Sequence, residues 1–306
     1  EMSASLVGSE MCIRDRKWSV SGNIGVNRNE ISDLGLLPAD FGCLGERVGY
    51  YGNSLGDHFG VGHIFLAGEA PGLFYGYVTQ GIVQKEDITE NGIKYIKQDG
   101  SVGYYQTVNK TTPVAGDVKY VDRNGDGVVD DNDRDIIGNP NPDFTYGFQT
   151  KVSWKSLSLS ASFNGVQGRD ILNVGNRYNN TPGTKSNNVT RKAFQNMWTD
   201  ENPSNLYPKS TFVVQNMVMD RYVEDGSYLR CSDITLSYVL PAKWTNKIGI
   251  KNTSVYASVK NAFVITDYSG YDPEVNSFAF DGLRPGVDMN SYPTPRSFVF
   301  GLNLTF

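Results

Sequence analysis

The chain has 306 residues, enough for one large domain or two smaller ones, and its 28 basic and 33 acidic residues give a net charge of −5. This balance excludes the strongly basic surface that nucleic-acid binding requires. The 33 glycines, 18 tyrosines and 15 phenylalanines favour strands and turns over helices. No run of about 18 apolar residues occurs, so no transmembrane helix is expected, but the weaker pattern of a spanning β-barrel stays open.

The first 16 residues have none of the features of a secretory signal, which needs a basic start, an apolar run and a small-residue cleavage site. They resemble a translated sequencing-adapter scar. We therefore expect 1–16 to be non-native sequence and 17–306 to be a fragment whose natural N-terminus is missing. The cysteines, Cys12, Cys43 and Cys231, are too far apart for a zinc motif and indicate no disulfide framework.

Alternation of apolar and polar residues predicts the strands of this chain. The clearest case is its last stretch, where Phe298, Phe300 and Leu302 share one face with Leu304, and Val299 is the one exception on the other face. We predict eight strands from this pattern, at 17–29, 60–69, 73–85, 143–154, 156–167, 228–240, 251–264 and 296–306.

The connections between the predicted strands alternate strictly between long and short, at 30, 3, 57, 1, 60, 10 and 31 residues. Outer-membrane barrels combine short periplasmic turns with long extracellular loops, whereas a soluble sandwich has no need to. The polar face consists mostly of Ser, Thr, Asn and Gly, which are too small to fill a closed eight-stranded barrel. We therefore predict an all-β fold, an antiparallel transmembrane β-barrel of which about eight strands are present.

Aromatic residues near the predicted strand ends are typical of the girdles at the two membrane interfaces. Ordinary cross-strand packing is the alternative interpretation. The aromatic residues in question are Trp18, Tyr75, Tyr77, Tyr146, Trp154, Tyr228, Tyr238 and Trp244. One helix is also predicted, over 189–198, with Asn188 or Thr190 as its N-cap.

One acidic segment has the ligand spacing of a calcium loop. Gly127, at the sixth position, permits a sharp turn, and Asp133 replaces the usual glutamate at the twelfth position. No pair of flanking helices is predicted, so this is not an EF-hand, and a solvated acidic turn is the alternative. We predict a structural Ca²⁺ site that pins the 86–142 connection, with oxygen ligands from Asp122, Asn124, Asp126, Val128 (main-chain carbonyl), Asp130 and Asp133.

No residue set supports catalysis, and we predict that the protein is not an enzyme. His58 and His63 have no nearby carboxylate or cysteine to complete a metal site, and we expect them on the surface or at strand ends. Asp272 and Glu274 could in principle form a glycosidase pair, but nothing in the sequence favours them. We predict neither catalytic nor cofactor-binding residues apart from the calcium loop.

Phe306 closes the chain on the apolar face of its predicted strand. It is either the last lipid-facing residue or an assembly signal, since outer-membrane barrels commonly finish in an aromatic residue that the barrel-assembly machinery reads. We predict the assembly role.

Five motifs occur in a fixed order along the chain. They are GEAPGLFYGY at 68–77, GDVKY at 116–120, IGNPNPDF at 137–144, GSYLR with ITLSYVLP at 226–230 and 234–241, and YSGYDPE with the closing FGLNLTF at 268–274 and 300–306. With these motifs the chain, from about residue 18 onward, resembles the C-terminal part of SusC/RagA-type TonB-dependent outer-membrane transporters.

The resemblance implies a barrel of about 22 strands with a plugged lumen. It also implies a cell outer membrane of the Gram-negative type, energy from TonB through the missing N-terminal region, a SusD-like surface lipoprotein, and oligosaccharide or peptide substrates. Two alternatives remain from the residues themselves. One is a secreted, calcium-stabilised β-sandwich that binds glycans, and the other is a self-contained eight-stranded barrel that acts as an adhesin or anchor.

Overall fold

A computed structural model describes residues 2–13, 15–35, 42–44, 47–55, 60–181, 188–210, 217–245, 250 and 252–305. These ranges consist mainly of strands. The strands are β1 (Met2–Ile13), β2 (Arg16–Val26), β3 (Gly42–Leu44), β4 (Arg47–Tyr51), β5 (His63–Leu66), β6 (Leu73–Tyr77), β7 (Thr79–Ile82), β8 (Ile88–Thr89), β9 (Gly92–Ile96), β10 (Val102–Tyr105), β11 (Thr107–Val108), β12 (Val118–Tyr120), β13 (Val128–Val129), β14 (Arg134–Gly138), β15 (Phe144–Trp154), β16 (Leu157–Gln167), β17 (Asp170–Asn173), β18 (Val223–Asp225), β19 (Tyr228–Val239), β20 (Asn252–Thr266), β21 (Val287–Asp288) and β22 (Ser297–Thr305).

The helices of the described residues are short. None of them combines the length and the apolar composition needed to cross a membrane. The helix predicted at 189–198 forms over six residues, and the Thr190 hydroxyl accepts a hydrogen bond from the Ala193 N–H (3.1 Å), which confirms Thr190 as the cap. The α-helices are α1 (Gly175–Asn180), α2 (Arg191–Asn196) and α3 (Ala242–Thr245), and 3₁₀ turns occur at Lys85–Asp87, Asp131–Asp133 and Asp220–Tyr222.

Seven strands form one antiparallel sheet, the long sheet, in the order β1-β2-β15-β16-β19-β20-β22. Short connections of 2, 2 and 12 residues lie at one end of this sheet, at 14–15, 155–156 and 240–251. Three long loops lie at the other end: the first long loop (27–143), the second long loop (168–227) and the third long loop (267–296). The alternation of short and long connections is therefore confirmed, and it gives the sheet two distinct ends.

Six of the eight predicted strands belong to the long sheet, and two do not. The predicted strands 60–69 and 73–85 are shorter in the structure and pair within a separate five-stranded sheet, β14-β6-β5-β4-β3, inside the first long loop. The seventh strand of the long sheet is β1, which pairs with β2 across a bulge between Leu6 and Ser9. That 1–16 is a non-native scar stays a prediction, because this pairing does not test its origin.

The two faces of the long sheet differ in chemistry, and the register keeps each face uniform. One row across six neighbouring strands joins Trp18, Val152, Leu159, Leu236, Ala257 and Phe300. This apolar face stays uncovered within the chain: Phe300 is 79% exposed and Ile265 61% exposed. On the opposite, polar face, the adjacent row joins Lys17, Ser153, Ser158, Ser237, Tyr256 and Gly301.

The buried hydrophobic core lies in the long loops rather than behind the long sheet. Its largest cluster joins the first long loop (Phe74, Tyr95, Tyr120) to the second and third long loops (Leu172, Val287). Burial of such apolar groups is the main stabilising contribution to folding. The loops thus fold as a packed body at one end of a sheet whose own apolar side chains find no partner in the chain.

Tyrosine rings cover glycines that lie directly opposite on the neighbouring strand. Tyr146 faces Gly165 and Tyr256 faces Gly301, and a Cβ added at either glycine would meet the ring at 2.4 Å and 2.2 Å respectively. Such aromatic–glycine pairs stabilise sheets, because the ring packs over the backbone that the glycine leaves open.

Candidate functional site

The predicted aromatic girdles are partly confirmed. Trp18, Trp154 and Tyr238 lie exposed on the apolar face near the short connections, and the Trp18 Nε1–H donates to the Thr150 hydroxyl (3.0 Å). Tyr75 and Tyr77, however, are buried in the core of the first long loop, so their assignment to a girdle is wrong. Both belong to β6, which does not enter the long sheet.

The polar face carries small side chains around an open concavity of about 760 Å³. Its lining includes Ser21, Asn23, Gln149, Ser162 and Asn164 from three adjacent strands. These residue types can hydrogen-bond water or a polar partner, and they are too short to fill the space themselves. The polar face is therefore suited to a hydrated or plugged interior, as the sequence predicts.

A buried ion pair attaches the third long loop to the polar face. Arg230 of β19 lies 2.5 Å from Asp272 Oδ1, and both side chains are about 95% buried. Glu274 accepts a hydrogen bond from the Tyr228 hydroxyl (2.6 Å) and lies 3.3 Å from Arg230 Nε. The side chains of Asp272 and Glu274 are thus committed to structural contacts, which argues against their use as a glycosidase pair.

The ionised form of Asp272 is stabilised by its neighbours. Burial opposes the charge, but the N–H groups of Glu274 and Thr294 donate to the carboxylate at 2.9 Å and 3.0 Å, and Arg230 adds its positive charge. The net result is a pKa of Asp272 below its usual value. Sequence reasoning missed Arg230, although a charged residue at a polar-face position of a spanning strand is the kind of signal that could have indicated it.

His63 connects the first and third long loops. Its ring is fully buried against Phe74, and its Nε2 lies 2.8 Å from the Pro285 carbonyl oxygen, to which it donates. Burial lowers the pKa of His63 to about 4, so the ring is neutral at pH 7. The expectation of a surface or strand-end position is therefore wrong for His63, and His58 lies outside the described residues.

The acidic segment folds as a closed loop around its first and last carboxylates. Asp122 accepts hydrogen bonds from the N–H groups of Gly125 (2.6 Å) and Gly127 (2.8 Å). Asp133 accepts from the N–H groups of Arg123 (2.7 Å) and Asn124 (3.3 Å). Positions 1 and 12 of the predicted calcium loop thus lie inside the turn, with main-chain donors on both.

The remaining predicted ligands lie on the outside of the acidic loop. Asp126 accepts from the Asn124 amide (3.0 Å) and from the Val128 N–H (2.8 Å), and Asp130 caps a 3₁₀ turn through the Asn132 N–H (2.9 Å). Within the described ranges, no group of three or more His, Cys, Asp or Glu side chains is arranged to hold a metal ion. The loop is therefore organised by its own hydrogen bonds in this structure.

Two buried acids give the acidic loop an electrostatic imbalance. Asp122 and Asp133 are both almost fully buried. Burial, reinforced by the nearby charge of Asp122, raises the pKa of Asp133, although three main-chain N–H groups act in the opposite direction. The donor set fits a hard cation, which prefers carboxylate and carbonyl oxygens and would offset the repulsion between the two acids.

The predicted assembly residue, Phe306, lies outside the described residues, and its role stays a prediction. The last described strand, β22, places Phe298, Phe300 and Leu302 on the apolar face as the alternation predicts.

Comparison with known proteins identifies the source of this two-faced sheet. No family model matches the chain. The chain is 30% identical over 298 residues to the TonB-dependent receptor P26 of Formosa agariphila, covering 94% of this chain and 27% of that receptor. It is 30% identical over 314 residues to the TonB-dependent receptor SusC of Bacteroides thetaiotaomicron, covering 100% of this chain and 26% of SusC.

Solved structures give the same answer. The RagAB peptide importer in its open-open state superposes with a TM-score of 0.64 at 25% identity, over 99% of this chain and 28% of that chain. Its closed-closed state gives a TM-score of 0.66 at 25% identity, over 98% and 28%. The chain belongs to the SusC/RagA-type TonB-dependent transporters. It spans about a quarter of the length of the curated relatives it matches.

The SusC/RagA membership explains the uncovered apolar face of the long sheet. TonB-dependent receptors are outer-membrane proteins, so the apolar face is the one that contacts lipid and the polar face is the one that lines the barrel. The short connections then mark the periplasmic end and the three long loops the extracellular end. The acidic loop, His63 and the third long loop all lie on the extracellular side.

Proposed function

We propose that the protein containing this chain imports nutrients across the outer membrane with energy delivered through TonB. The observation that carries this proposal is the long sheet, with lipid-facing residues on one side, small polar residues on the other, and all long loops at one end. Such a wall suits a wide barrel interior rather than a catalytic cleft. The similarity to SusC and to the RagAB peptide importer supports the same reading.

The two alternatives fit the structure less well. A β-sandwich buries the apolar face of each sheet against a second sheet, whereas Phe300 and Ile265 remain largely exposed. A self-contained barrel needs its edge strands to pair, but β1 and β22 stand at opposite edges of the long sheet in the described residues. Both observations favour a wall that is completed by further strands.

For substrates and partners, we propose oligosaccharides or peptides and a SusD-like surface lipoprotein over the extracellular mouth. The support is the family, since one relative is SusC and one structural neighbour is described as a peptide importer. Outer-membrane lipid would surround the apolar face, and contact with TonB would come from a region outside this chain.

An uptake experiment tests the importer proposal. Cells that carry the full-length transporter are compared with a deletion strain for growth on peptone and on malto-oligosaccharides as sole nutrients, with and without functional TonB. Growth that needs both the transporter and TonB on either nutrient is the expected result. Equal growth of all strains on both nutrients would overturn the proposal. Purification of the tagged transporter from its native membrane should yield a stoichiometric lipoprotein.

We also propose that the acidic loop binds Ca²⁺ in a structural role, through Asp122, Asn124, Asp126, the Val128 carbonyl, Asp130 and Asp133. The burial of two like charges at its first and last positions supports this proposal. Calorimetry on the full-length transporter, titrated with CaCl₂ after chelation, should detect binding that the Asp122→Asn variant loses. Absence of both heat and thermal stabilisation in the native protein would leave a self-sufficient acidic turn.

A further inference from the structure

A small cavity in the extracellular region lies between the first and second long loops. Its volume is about 230 Å³, and it adjoins a second cavity of about 110 Å³. The inner surface of the larger cavity is apolar and aromatic, formed by Tyr120, Met219 and Tyr222, all of which are buried. Thr112 and Val114 are exposed at its mouth. The cavity is therefore open to solvent and has an apolar floor.

Arg221 is shared by the two cavities and gives them a positive charge. Its guanidinium donates to the Leu206 carbonyl oxygen, and no carboxylate of the described residues pairs with it among the recorded ion pairs. The neighbouring acid, Asp220, instead accepts from the Thr79 N–H (3.0 Å) and hydroxyl (2.6 Å). Four of the five donors of Arg221 thus stay available, in a fork geometry that suits a carboxylate.

The other charged residues of the larger cavity are already neutralised. Lys209 lies 3.2 Å from Asp117 Oδ1, and Asp117 Oδ2 accepts the Val114 N–H (2.9 Å). A sugar would need acceptors for its hydroxyl groups, but the cavity's only described carboxylate is committed to these contacts. A ligand with an apolar body and one negative charge satisfies the available groups better.

We propose that this cavity binds the C-terminal residue of a short peptide, with its apolar side chain on the Tyr120–Met219–Tyr222 floor and its carboxylate on Arg221. The charge of Arg221 is felt at both buried tyrosine hydroxyls, which places the guanidinium beside the floor rather than at the rim. This inference deepens the importer function proposed above and rests on it, because it assigns one substrate class to a defined subsite.

The test is calorimetry of the full-length transporter with the peptide Ala-Ala-Phe and its C-terminal amide. The free acid is expected to bind the native protein at least about tenfold more tightly than the amide, the effect of a hydrogen-bonded charge pair. Arg221→Gln should remove this difference, and Arg191→Gln, which alters an exposed arginine of the same loop, should preserve it. Val114→Trp, which narrows the mouth without touching the buried floor, should weaken binding of the acid by a similar factor.

Three results would overturn the subsite. They are equal binding of acid and amide to the native protein, retention of the difference in Arg221→Gln, and tighter binding of trigalacturonate than of the peptide. Heat-modifiable migration in gels verifies that each variant keeps its barrel, and Val114→Trp decides the question if Arg221→Gln does not fold. A Val114→Trp transporter with unchanged peptide binding and normal TonB-dependent growth would refute the subsite and leave the importer proposal intact.

Discussion

Placing an arginine on the lipid-facing side of a strand should destabilise the barrel, and the same change one residue away should not. Ala161 is the most informative position, because it lies at the middle of β16 on the apolar face, opposite Thr150 and Ile234. Its neighbour Ser162 lies at the same depth on the polar face, opposite Gln149 and Asp233. The two sites therefore differ in environment and hardly at all in depth.

The magnitude follows from depth in the bilayer. A strand tilted by about 40° rises roughly 2.5 Å per residue along the membrane normal, so the apolar band of about 25 Å covers about ten residues. Ala161→Arg then falls near the midplane and should cost about 2–4 kcal/mol. Leu159→Arg, roughly 5 Å closer to the periplasmic turn, should show a smaller desolvation cost. Ser162→Arg should cost less than about 1 kcal/mol, since Asp233 lies opposite.

Equilibrium unfolding of the full-length transporter in liposomes, followed by tryptophan fluorescence in a guanidinium series, measures these differences. Leu159→Ala separates the loss of the leucine side chain from the effect of the new charge. If Ala161→Arg and Ser162→Arg cost the same, the assignment of the two faces to lipid and lumen is refuted.

Three other changes address the extracellular side. Burial lowers the pKa of His63 to about 4, so stability should fall by about 3 kcal/mol as pH drops from 6.5 towards 4, while His63→Gln should flatten this dependence; hydrogen exchange across the first and third long loops measures both. Arg230→Met leaves Asp272 buried without its cation and should cost about 3–5 kcal/mol, which protease sensitivity of the third long loop reports. Burial raises the pKa of Asp133, so in chelator the loop should lose stability as pH rises through that value, and Asp133→Asn should abolish the loss; thermal melts with and without Ca²⁺ check this.

The wall of the barrel could be predicted because its side chains alternate between two very different surroundings. Each of the predicted strands 17–29, 143–154, 156–167, 228–240 and 251–264 matches a strand of the long sheet within a few residues at either end, and the last predicted strand does so as well. One-sided exposure imposes period two directly on the sequence, so local reading suffices.

The two misplaced strands show where that reading fails. Residues 63–66 and 73–77 are buried on both sides, so their sequence is continuously apolar and carries no information about which sheet they join. The girdle assignment of Tyr75 and Tyr77 failed for the same reason. An aromatic residue in an apolar run fits a protein core as well as a membrane interface.

The contacts of the extracellular region could not be predicted, because they join residues that are distant in sequence. His63 meets Pro285 across 222 positions, and Arg230 meets Asp272 across a long loop. The acidic loop was identifiable, since its ligand spacing is local, but its burial depends on Tyr95, whose hydroxyl donates to the Asp122 carbonyl (2.6 Å). Only the fold brings these partners together.

The first long loop separates two strands that pair along their full length. β2 and β15 are in register from Thr145 and Gly25 to Trp154 and Arg16, although 117 residues lie between them, whereas β15 and β16 are joined by a two-residue turn. Closing the longer connection costs about 3–4 kcal/mol more chain entropy. The β15–β16 hairpin should therefore form early during membrane insertion, and β2 should zip onto it only after the 117-residue excursion has collapsed and drawn its ends together.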